Sequence, residues 1–461
     1  MKEQIAKLIE PKQTIPEARR IFSNGDLKSL IVPLFMEQLL AVLVGVADMF
    51  MVSYAGEAAV SGVSLVNMFN TIFIYLFSAL AAGGAIVVSQ YIGSKDQVNG
   101  NLSSGQLLMT STVFSLFITG VVLVLNRQLL KLFFGEVEPD VMEACVTYLQ
   151  ISAYSYPALA VYNAGAAMHR SMGKTNVTMY LSLASNGINV AGNAVGVFLL
   201  HAGVAGVAYP SLIARAFSAV AITWLCFQKG NAIRLEKQHI FLWDKAMVRR
   251  ILGIAIPNGI ENGLFQLAKV ALSSITALFG TAQIAANGVA QSFWSVAALM
   301  GTAMGLGFVT VTGQCVGAGD KEAAEYYMRK LLKLTFVSSI IWNGLILAVT
   351  PIVLKGYALS AEASGLVVIL VIIHNLFNAV CFPLSGALSN GLRAAGDVKF
   401  TMYVSLISTV AGRVLFSVIF AVWMNMGVIG VAFAMCLDWG IRAVIFWIRF
   451  VKGSWKKFSV I

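Results

Sequence analysis

The chain has 461 residues, of which 58% are hydrophobic and 11% charged, and its mean hydropathy is +0.80. Soluble domains carry about 25% charged residues, so this composition excludes an ordinary soluble domain and indicates a membrane protein. The formal net charge of +11 does not indicate nucleic-acid binding, because Lys and Arg cluster in the N-terminal tail, in residues 228–250, in a turn after residue 320 and at the C-terminus. That distribution is typical of cytoplasmic loops of a membrane protein.

Apolar runs long enough to cross about 30 Å of hydrocarbon recur along the whole chain. We predict about twelve helical spans, at residues 29–53, 61–88, 105–126, 141–166, 176–200, 203–227, 251–278, 284–311, 330–354, 364–390, 400–424 and 427–449. The positive-inside rule places both termini and the basic linker in the cytoplasm. The predicted domains are a tail (1–28), an N-lobe (29–227), a linker (228–250), a C-lobe (251–449) and a second tail (450–461).

The two predicted lobes repeat each other in sequence. Residues 33–93 align with residues 257–317 without a gap, at an offset of 224. Matched pairs include Pro33 with Pro257, Glu37 with Glu261, Gln90 with Gln314 and, farther on, Arg170 with Arg393, Thr178 with Thr401 and Gly203 with Gly427. Because each lobe has an even number of spans, both lobes have the same orientation in the membrane. Parallel repeats of this kind build transporters with the substrate site between the halves.

The first span carries two carboxylates, Glu37 and Asp48, about three helical turns apart and on nearly the same face. An acid inside a membrane helix is costly, and a functional role is its default interpretation. A buried carboxyl group such as Asp48 can take up a proton at one face and release it at the other. The alternative is that Asp48 is a hydrogen-bonded acid at a helix end near the outer surface.

Further candidates for substrate contact or charge relay are Glu37 of the first span and Glu261, Gln266 and Lys269 of the seventh span. Glu37 and Glu261 are matched acids that either flank a central cavity and attract a cation or serve a shared structural role near the two prolines. Lys269 has no acidic symmetry mate and lies near mid-span, where a lysine needs a carboxylate, water or a depressed pKa. It is predicted either to replace a bound cation or to contact substrate.

Several motifs keep one order along the chain. They are Pro33 fifteen residues before Asp48, Asp48-Met-Phe-Met-Val-Ser53, Ser89-Gln90-Tyr-Ile-Gly93, Arg170 to Gly173 and Arg393 to Gly396. In this order and repeat register, the chain resembles the multidrug and toxic compound extrusion (MATE) family. The resemblance implies an all-α membrane protein with two pseudo-symmetric six-helix lobes forming a V-shaped cleft. It also implies export of amphiphilic, cationic compounds in exchange for H⁺ or Na⁺, with no other cofactor and no metal.

The resemblance also assigns residues. Asp48 matches the carboxylate that couples ion movement in the first span, and Asn189 and Asn193 match an Asn-x-x-x-Asp pair in which Asn193 replaces the aspartate. Ser211 matches a hydroxyl near that pair. Gln266 stands where sodium-coupled members have a glutamate, so a C-lobe sodium site of that type is not predicted. Ion or substrate contact by the two asparagines competes with plain hydrogen bonding between helices.

We therefore predict a monomeric, multi-pass antiporter of a bacterial-type plasma membrane, with a small amphiphilic molecule and the lipid bilayer as its partners. One alternative is a lipid-linked saccharide flippase of the wider superfamily, which would need a basic central cavity for pyrophosphate. The other is an intramembrane enzyme, which the sequence disfavours because we find no catalytic pairs.

Overall fold

The computed structural model describes residues 10–11, 14–135, 138–357 and 359–461, and within them it contains helices and no strands. We number the long helical segments α1 to α12. Their bounds are α1 Asn24–Ser53, α2 Glu57–Gly93, α3 Gln97–Phe134, α4 Pro139–Tyr154 with Tyr156–Ser171, α5 Thr175–Ala194 with Val195–Leu199, α6 Ala205–Cys226, α7 Lys245–Ala277, α8 Thr281–Ala297 with Leu299–Gly317, α9 Lys321–Leu354, α10 Ala361–Phe382 with Pro383–Ala387 and Leu388–Ala394, α11 Val398–Ile407 with Ser408–Leu415 and Val418–Trp423, and α12 Gly427–Val451.

Each predicted span falls on one of these helices, which confirms the predicted all-helical membrane fold. Within the described residues, nine helices are long and apolar enough to cross a membrane by length and composition. The other three long segments, α4, α5 and α7, carry more polar or charged residues. Several helices run past the predicted spans; α9, for example, begins at Lys321 rather than near residue 330.

The chain divides into two compact units whose boundaries fall inside α1 and α7. The N-terminal unit is Val32–Gly259, and the C-terminal unit is Ile260–Ile461 together with the residues up to Ile31. The first two turns of α1 therefore pack within the C-terminal unit, and the first part of α7 packs within the N-terminal unit. The lobe boundaries predicted from the sequence stay a prediction.

Two glycines at matched repeat positions let these exchanged helix segments pack closely. A Cβ on Gly83 of α2 would lie 2.9 Å from Ala255 of α7, so only glycine fits there. In the C-terminal unit, a Cβ on Gly307 of α8 would lie 3.6 Å from Ile31 of α1, an ordinary van der Waals contact, so the matched pair of helices is packed less tightly there. Small residues allow such close approach of helices in a membrane, where lipid supplies no hydrophobic drive for their association. The repeat in sequence is therefore also a repeat of one helix contact.

Helices α3 and α9 begin on the side predicted to be cytoplasmic, and each has an aspartate as its N-cap. Asp96 accepts a hydrogen bond from the backbone N–H of Asn99 (3.0 Å), and Asp320 accepts one from Ala323 (2.9 Å). The side-chain hydrogen bond from Asn99 lowers the pKa of Asp96, and the one from Arg19 lowers the pKa of Asp320. An ionised aspartate at this position satisfies free amides and complements the helix dipole.

The eleventh helix contains an extra residue relative to its repeat mate α5. The offset between the halves is 223 at Thr178 and Thr401 but 224 at Gly203 and Gly427. Between these points, Ser408–Leu415 forms a π-helix with no counterpart in Thr175–Ala194, which is regular α-helix. A π-segment is the form a helix takes when it accommodates an inserted residue, and such segments are frequent at functional sites. Here the segment contains Arg413.

Candidate functional site

In the N-terminal unit, α1, α5 and α6 join the four predicted ion-coupling residues in one chain of hydrogen bonds. The amide nitrogen of Asn193 donates to Oδ1 of Asp48 at 2.7 Å and lies 3.2 Å from Oδ1 of Asn189. The amide nitrogen of Asn189 donates to Oγ of Ser211 at 2.8 Å. The sequence therefore selected residues that do lie together, while their part in ion coupling stays a prediction.

This chain of hydrogen bonds leaves one acceptor open. Asn193 and Asn189 are buried, whereas Asp48 is half-buried. Among the described residues, Oδ1 of Asn193 has no hydrogen-bond partner. A buried carbonyl oxygen without a partner is costly, because its contact with water is not replaced. The cluster thus places a carboxylate beside an unsatisfied oxygen, an arrangement that can accept a proton donor or a small cation.

Arg215 belongs to this cluster and was missed in the sequence. It lies on α6, one turn after Ser211, and donates to Oγ of Ser155 at 2.7 Å. Its positive charge attracts the Asp48 carboxylate, and it lines a cavity of about 140 Å³ together with Tyr162 and Asn186. An arginine in an otherwise apolar run is a signal that could have identified it.

The matched acids Glu37 and Glu261 each have an arginine partner in their own unit. Oε1 of Glu37 lies 2.5 Å from a guanidinium nitrogen of Arg170, and Oε2 accepts from Thr178 at 2.9 Å. Glu261 pairs with Arg393 at 2.6 and 2.7 Å. Both arginines were visible as repeat-matched residues, but their pairing with the acids was not predicted. The ion pairs favour the structural alternative for these two acids.

The two seventh-span candidates Lys269 and Gln266 have different surroundings in the C-terminal unit. Lys269 lines a cavity of about 270 Å³, with its Nζ 5.2 Å from the ring centre of Phe265 and 5.8 Å from that of Trp294. Gln266 does not line this cavity, and within the described residues its buried amide nitrogen has no partner. Of the two, only Lys269 is placed to contact a bound molecule in this cavity.

A buried cluster of charges stands behind the same cavity. Nε of Arg413 donates to Oδ2 of Asp438 at 2.9 Å, and Arg442 contacts the same carboxylate at 2.5 and 2.7 Å. Arg413 and Asp438 are almost wholly buried. One carboxylate between two arginines leaves one positive charge in excess, and Lys269 adds a second.

Comparison with known proteins gives consistent matches over both halves of the chain. The MatE family model matches residues 33–195 and again residues 257–419, two segments that begin 224 residues apart, at the offset of the repeat. YisQ of Bacillus subtilis (strain 168), described as an uncharacterized transporter, is 26% identical over 440 residues, covering 93% of this chain and 94% of that protein. A probable multidrug resistance protein NorM of Thermotoga maritima is 24% identical over 476 residues, covering 100% and 98%.

Among solved structures, a MOP superfamily transporter from Pyrococcus furiosus is similar with a TM-score of 0.89 at 18% identity, covering 97% of this chain and 100% of that chain. At this identity the likeness shows the fold alone. The two family-model matches together span well over half of the sequence. The chain therefore belongs to the MatE family of multidrug and toxic compound extrusion transporters.

Proposed function

We propose that this protein exports small amphiphilic molecules in exchange for inward movement of H⁺ or Na⁺, and that Asp48 binds the coupling ion. The observation that carries this proposal is the hydrogen-bonded chain from Asp48 through Asn193 and Asn189 to Ser211. It concentrates oxygen atoms around Asp48, a half-buried acid of the first span that has no ion pair of the Glu37 kind among the described residues. Relatives named as multidrug resistance proteins support export of drug-like molecules.

The partnerless Oδ1 of Asn193 suggests how ion binding changes the hydrogen bonds of the N-terminal unit. Ionised Asp48 accepts a hydrogen bond from the Asn193 amide. A protonated Asp48 becomes a donor, and rotation of the Asn193 amide would offer its partnerless oxygen as the acceptor. A sodium ion would instead bind the carboxylate, amide and hydroxyl oxygens of the cluster. Either ion alters the contact between α1 and α5, and coupling follows if the two conformations bind ion and cargo with different affinities.

Purified protein in liposomes tests this proposal directly. Liposomes carrying an imposed proton or sodium gradient are given ethidium or 1-naphthaleneacetate, and cargo flux is followed together with gradient decay. We expect flux driven by one of the two gradients, and that gradient identifies the ion. Asp48→Asn should insert normally and abolish gradient-driven flux, since asparagine cannot be ionised.

Asp140→Asn is a matched control, because Asp140 is an exposed acid in the first turn of α4. Its flux should equal that of the parent protein. Full flux by the Asp48→Asn protein, or flux that ignores both gradients, would remove Asp48 from the mechanism.

A lipid-linked saccharide flippase is the second candidate, because one specific observation favours it. The C-terminal cavity contains Lys269 and Arg413 and no carboxylate in its described lining, as pyrophosphate recognition would require. Movement of a fluorescent pyrophosphate-linked lipid across the liposome membrane, without any gradient, would support this function. The predictions of a monomer and cytoplasmic termini remain open proposals beside both candidates.

A further inference from the structure

We infer that the cavity of the C-terminal unit is an anion site, and that the cargo is a small aromatic molecule bearing a carboxylate or similar acid group. The inference rests on the proposed exporter function and replaces the cationic cargo expected from the family resemblance. Four lines support it: an unpaired lysine, a half-compensated arginine, two buried donors without acceptors, and the size of the cavity.

The first line is the charge of Lys269. No ion pair or hydrogen bond joins its ammonium group to any described residue, and the nearby charge that acts on it is the repelling one of Arg413. The aromatic rings of Phe265 and Trp294 lie near the ammonium group, but they stabilise a cation only in part. A lysine inside a membrane protein needs a counter-charge, and a bound anion would supply it.

The second line is Arg413, whose guanidinium group also lines the cavity. Its counter-ion Asp438 is shared with Arg442, so one carboxylate serves two guanidinium groups. The cavity therefore holds more positive charge than the buried acid behind it can balance. Because Nε and one terminal nitrogen of Arg413 already face Asp438, Arg413 contributes mainly its positive charge to the cavity.

The third line is two buried N–H groups that have no acceptor among the described residues. The indole nitrogen of Trp294 is one, and it only donates. His374 is the other: it is 2% exposed, neither of its ring nitrogens has a partner, and one of them carries a proton. Both side chains line the same cavity. A ligand that satisfies them must bring acceptors, as an oxyanion does.

The remaining polar lining does not change the sign of the cavity. Ser273, Ser292 and Ser295 donate their hydroxyl protons to carbonyl groups of their own helices. Asn287 and Gln291 complete the polar lining. The serines and these two amides offer lone pairs to hydroxyl or N–H groups of a cargo but carry no charge. They therefore leave the excess of positive charge uncompensated.

The fourth line is size and shape. The cavity of about 270 Å³ lies just below the usual range of ligand pockets, about 300–1,000 Å³. Phe265 and Trp294 provide aromatic faces on which a flat ring can stack. A molecule of one or two rings fits such a space, whereas a two-chain phospholipid would leave most of its body outside. We therefore take the cargo to be a free small molecule, which this volume can hold whole.

Equilibrium binding to the purified full chain in phosphatidylcholine nanodiscs tests the inference without any ion gradient. The probe is radiolabelled 1-naphthaleneacetate, and its matched controls are the neutral 1-naphthaleneacetamide and the cation 2-(1-naphthyl)ethylammonium. We expect the carboxylate to bind about tenfold or more tightly than the amide, as a charge-assisted contact does. The ammonium compound should bind most weakly.

Variants assign the effect to the cavity. Lys269→Met should weaken carboxylate binding about tenfold and leave amide binding within about twofold, because only the charge is removed. Lys269→Arg should retain most of the carboxylate affinity. Lys355→Met is the control, since Lys355 is an exposed lysine beyond the end of α9 in the same unit. Gel filtration of each variant establishes that it is folded.

Two results would overturn the inference: equal or tighter binding of the ammonium compound, or unchanged carboxylate binding in folded Lys269→Met protein. Its failure is distinguishable from failure of the proposed function. Asp48→Asn protein should keep carboxylate binding while it loses gradient-driven flux. Gradient-driven flux without carboxylate binding would refute the anion site alone, and carboxylate binding without gradient-driven flux would refute only the antiporter.

Discussion

The two units share one duplicated arrangement of helices, but the charge that they place inside it differs in sign. At the repeat offset of 224, Asp48 of the N-terminal unit corresponds to Leu272, and Arg215 corresponds to Trp439. The N-terminal unit surrounds Asp48, the proposed coupling acid, with amides, a hydroxyl and a single arginine. The C-terminal unit has lost that acid and contains instead a lysine and two arginines around one aspartate. A repeated backbone therefore repeats packing, whereas the chemistry of each half diverges.

Elements that hold the frame together have not diverged. The pairs Glu37–Arg170 and Glu261–Arg393, the aspartate caps of α3 and α9, and the glycine contacts of α2 and α8 recur in both units. The two units differ at the π-helix of α11, which accommodates the extra residue and contains Arg413. Five substitutions, tested in four experiments, would break or sharpen this comparison.

The largest effect should come from Asp438→Asn. Removing the shared carboxylate leaves Arg413 and Arg442 buried without a counter-charge, which costs about 3–5 kcal/mol when one partner of a buried pair is lost. We expect a sharp fall in the yield of monodisperse protein and in its apparent melting temperature. Asp48→Asn is the contrast, because it should lose transport and keep stability. An Asp438→Asn protein as stable as the parent would show that the cluster is not structural.

Asn193→Ala should have the next largest effect, on transport. It removes the hydrogen bond to the Asp48 carboxylate, and a bond to a charged group is worth about 1.5–3 kcal/mol. We expect gradient-driven flux to fall about tenfold or more. Asn176→Ala is the control, since Asn176 is exposed on the same helix. Normal flux by Asn193→Ala protein would mean that the amide only holds helices together.

Glu37→Gln and Glu261→Gln should have similar effects on stability, because the two ion pairs are repeats of one contact. Each leaves an arginine without its acid, half-buried Arg170 in one unit and buried Arg393 in the other, at a cost of about 1–3 kcal/mol. Thermal unfolding of both variants measures this, and exchange of the two residues within one pair should restore stability. If one variant loses transport at normal stability, that acid has a transport role and the units differ there as well.

Asp96→Ala should have the smallest effect, a cost of about 0.5–2 kcal/mol from the lost N-cap. Asp96→Asn is the control, because asparagine caps helices about as well. The lowered pKa of Asp96 sets the pH dependence. Its stabilisation is fully present above the unfolded-state pKa of about 3.9 and disappears as the pH falls through the lower folded-state value. Melting curves at neutral and strongly acidic pH should therefore show the cost of Asp96→Ala shrinking in acid.

Much of the architecture could be predicted from the sequence, because a bilayer restricts the chain so strongly. In lipid, every backbone polar group must be satisfied within the protein, and an apolar run of about 20 residues achieves this as a helix. The repeat of Pro33 and Glu37 with Pro257 and Glu261 identified the duplication without any structure. Asp48, Asn189, Asn193 and Ser211 were selected from three separate helices and do lie in one hydrogen-bonded chain.

Only the tertiary structure decided the partners. Glu37 and Arg170 are 133 residues apart, and Arg413 and Asp438 lie on different helices, so no local pattern joins either pair. The fold also decided that Lys269 faces a cavity without a carboxylate in its described lining. Hydropathy and spacing report whether a residue lies in a helix, but the charge it meets depends on how helices are rotated and packed. In this protein, the packing of the helices gives Asp48 polar neighbours and places Lys269 in a basic cavity.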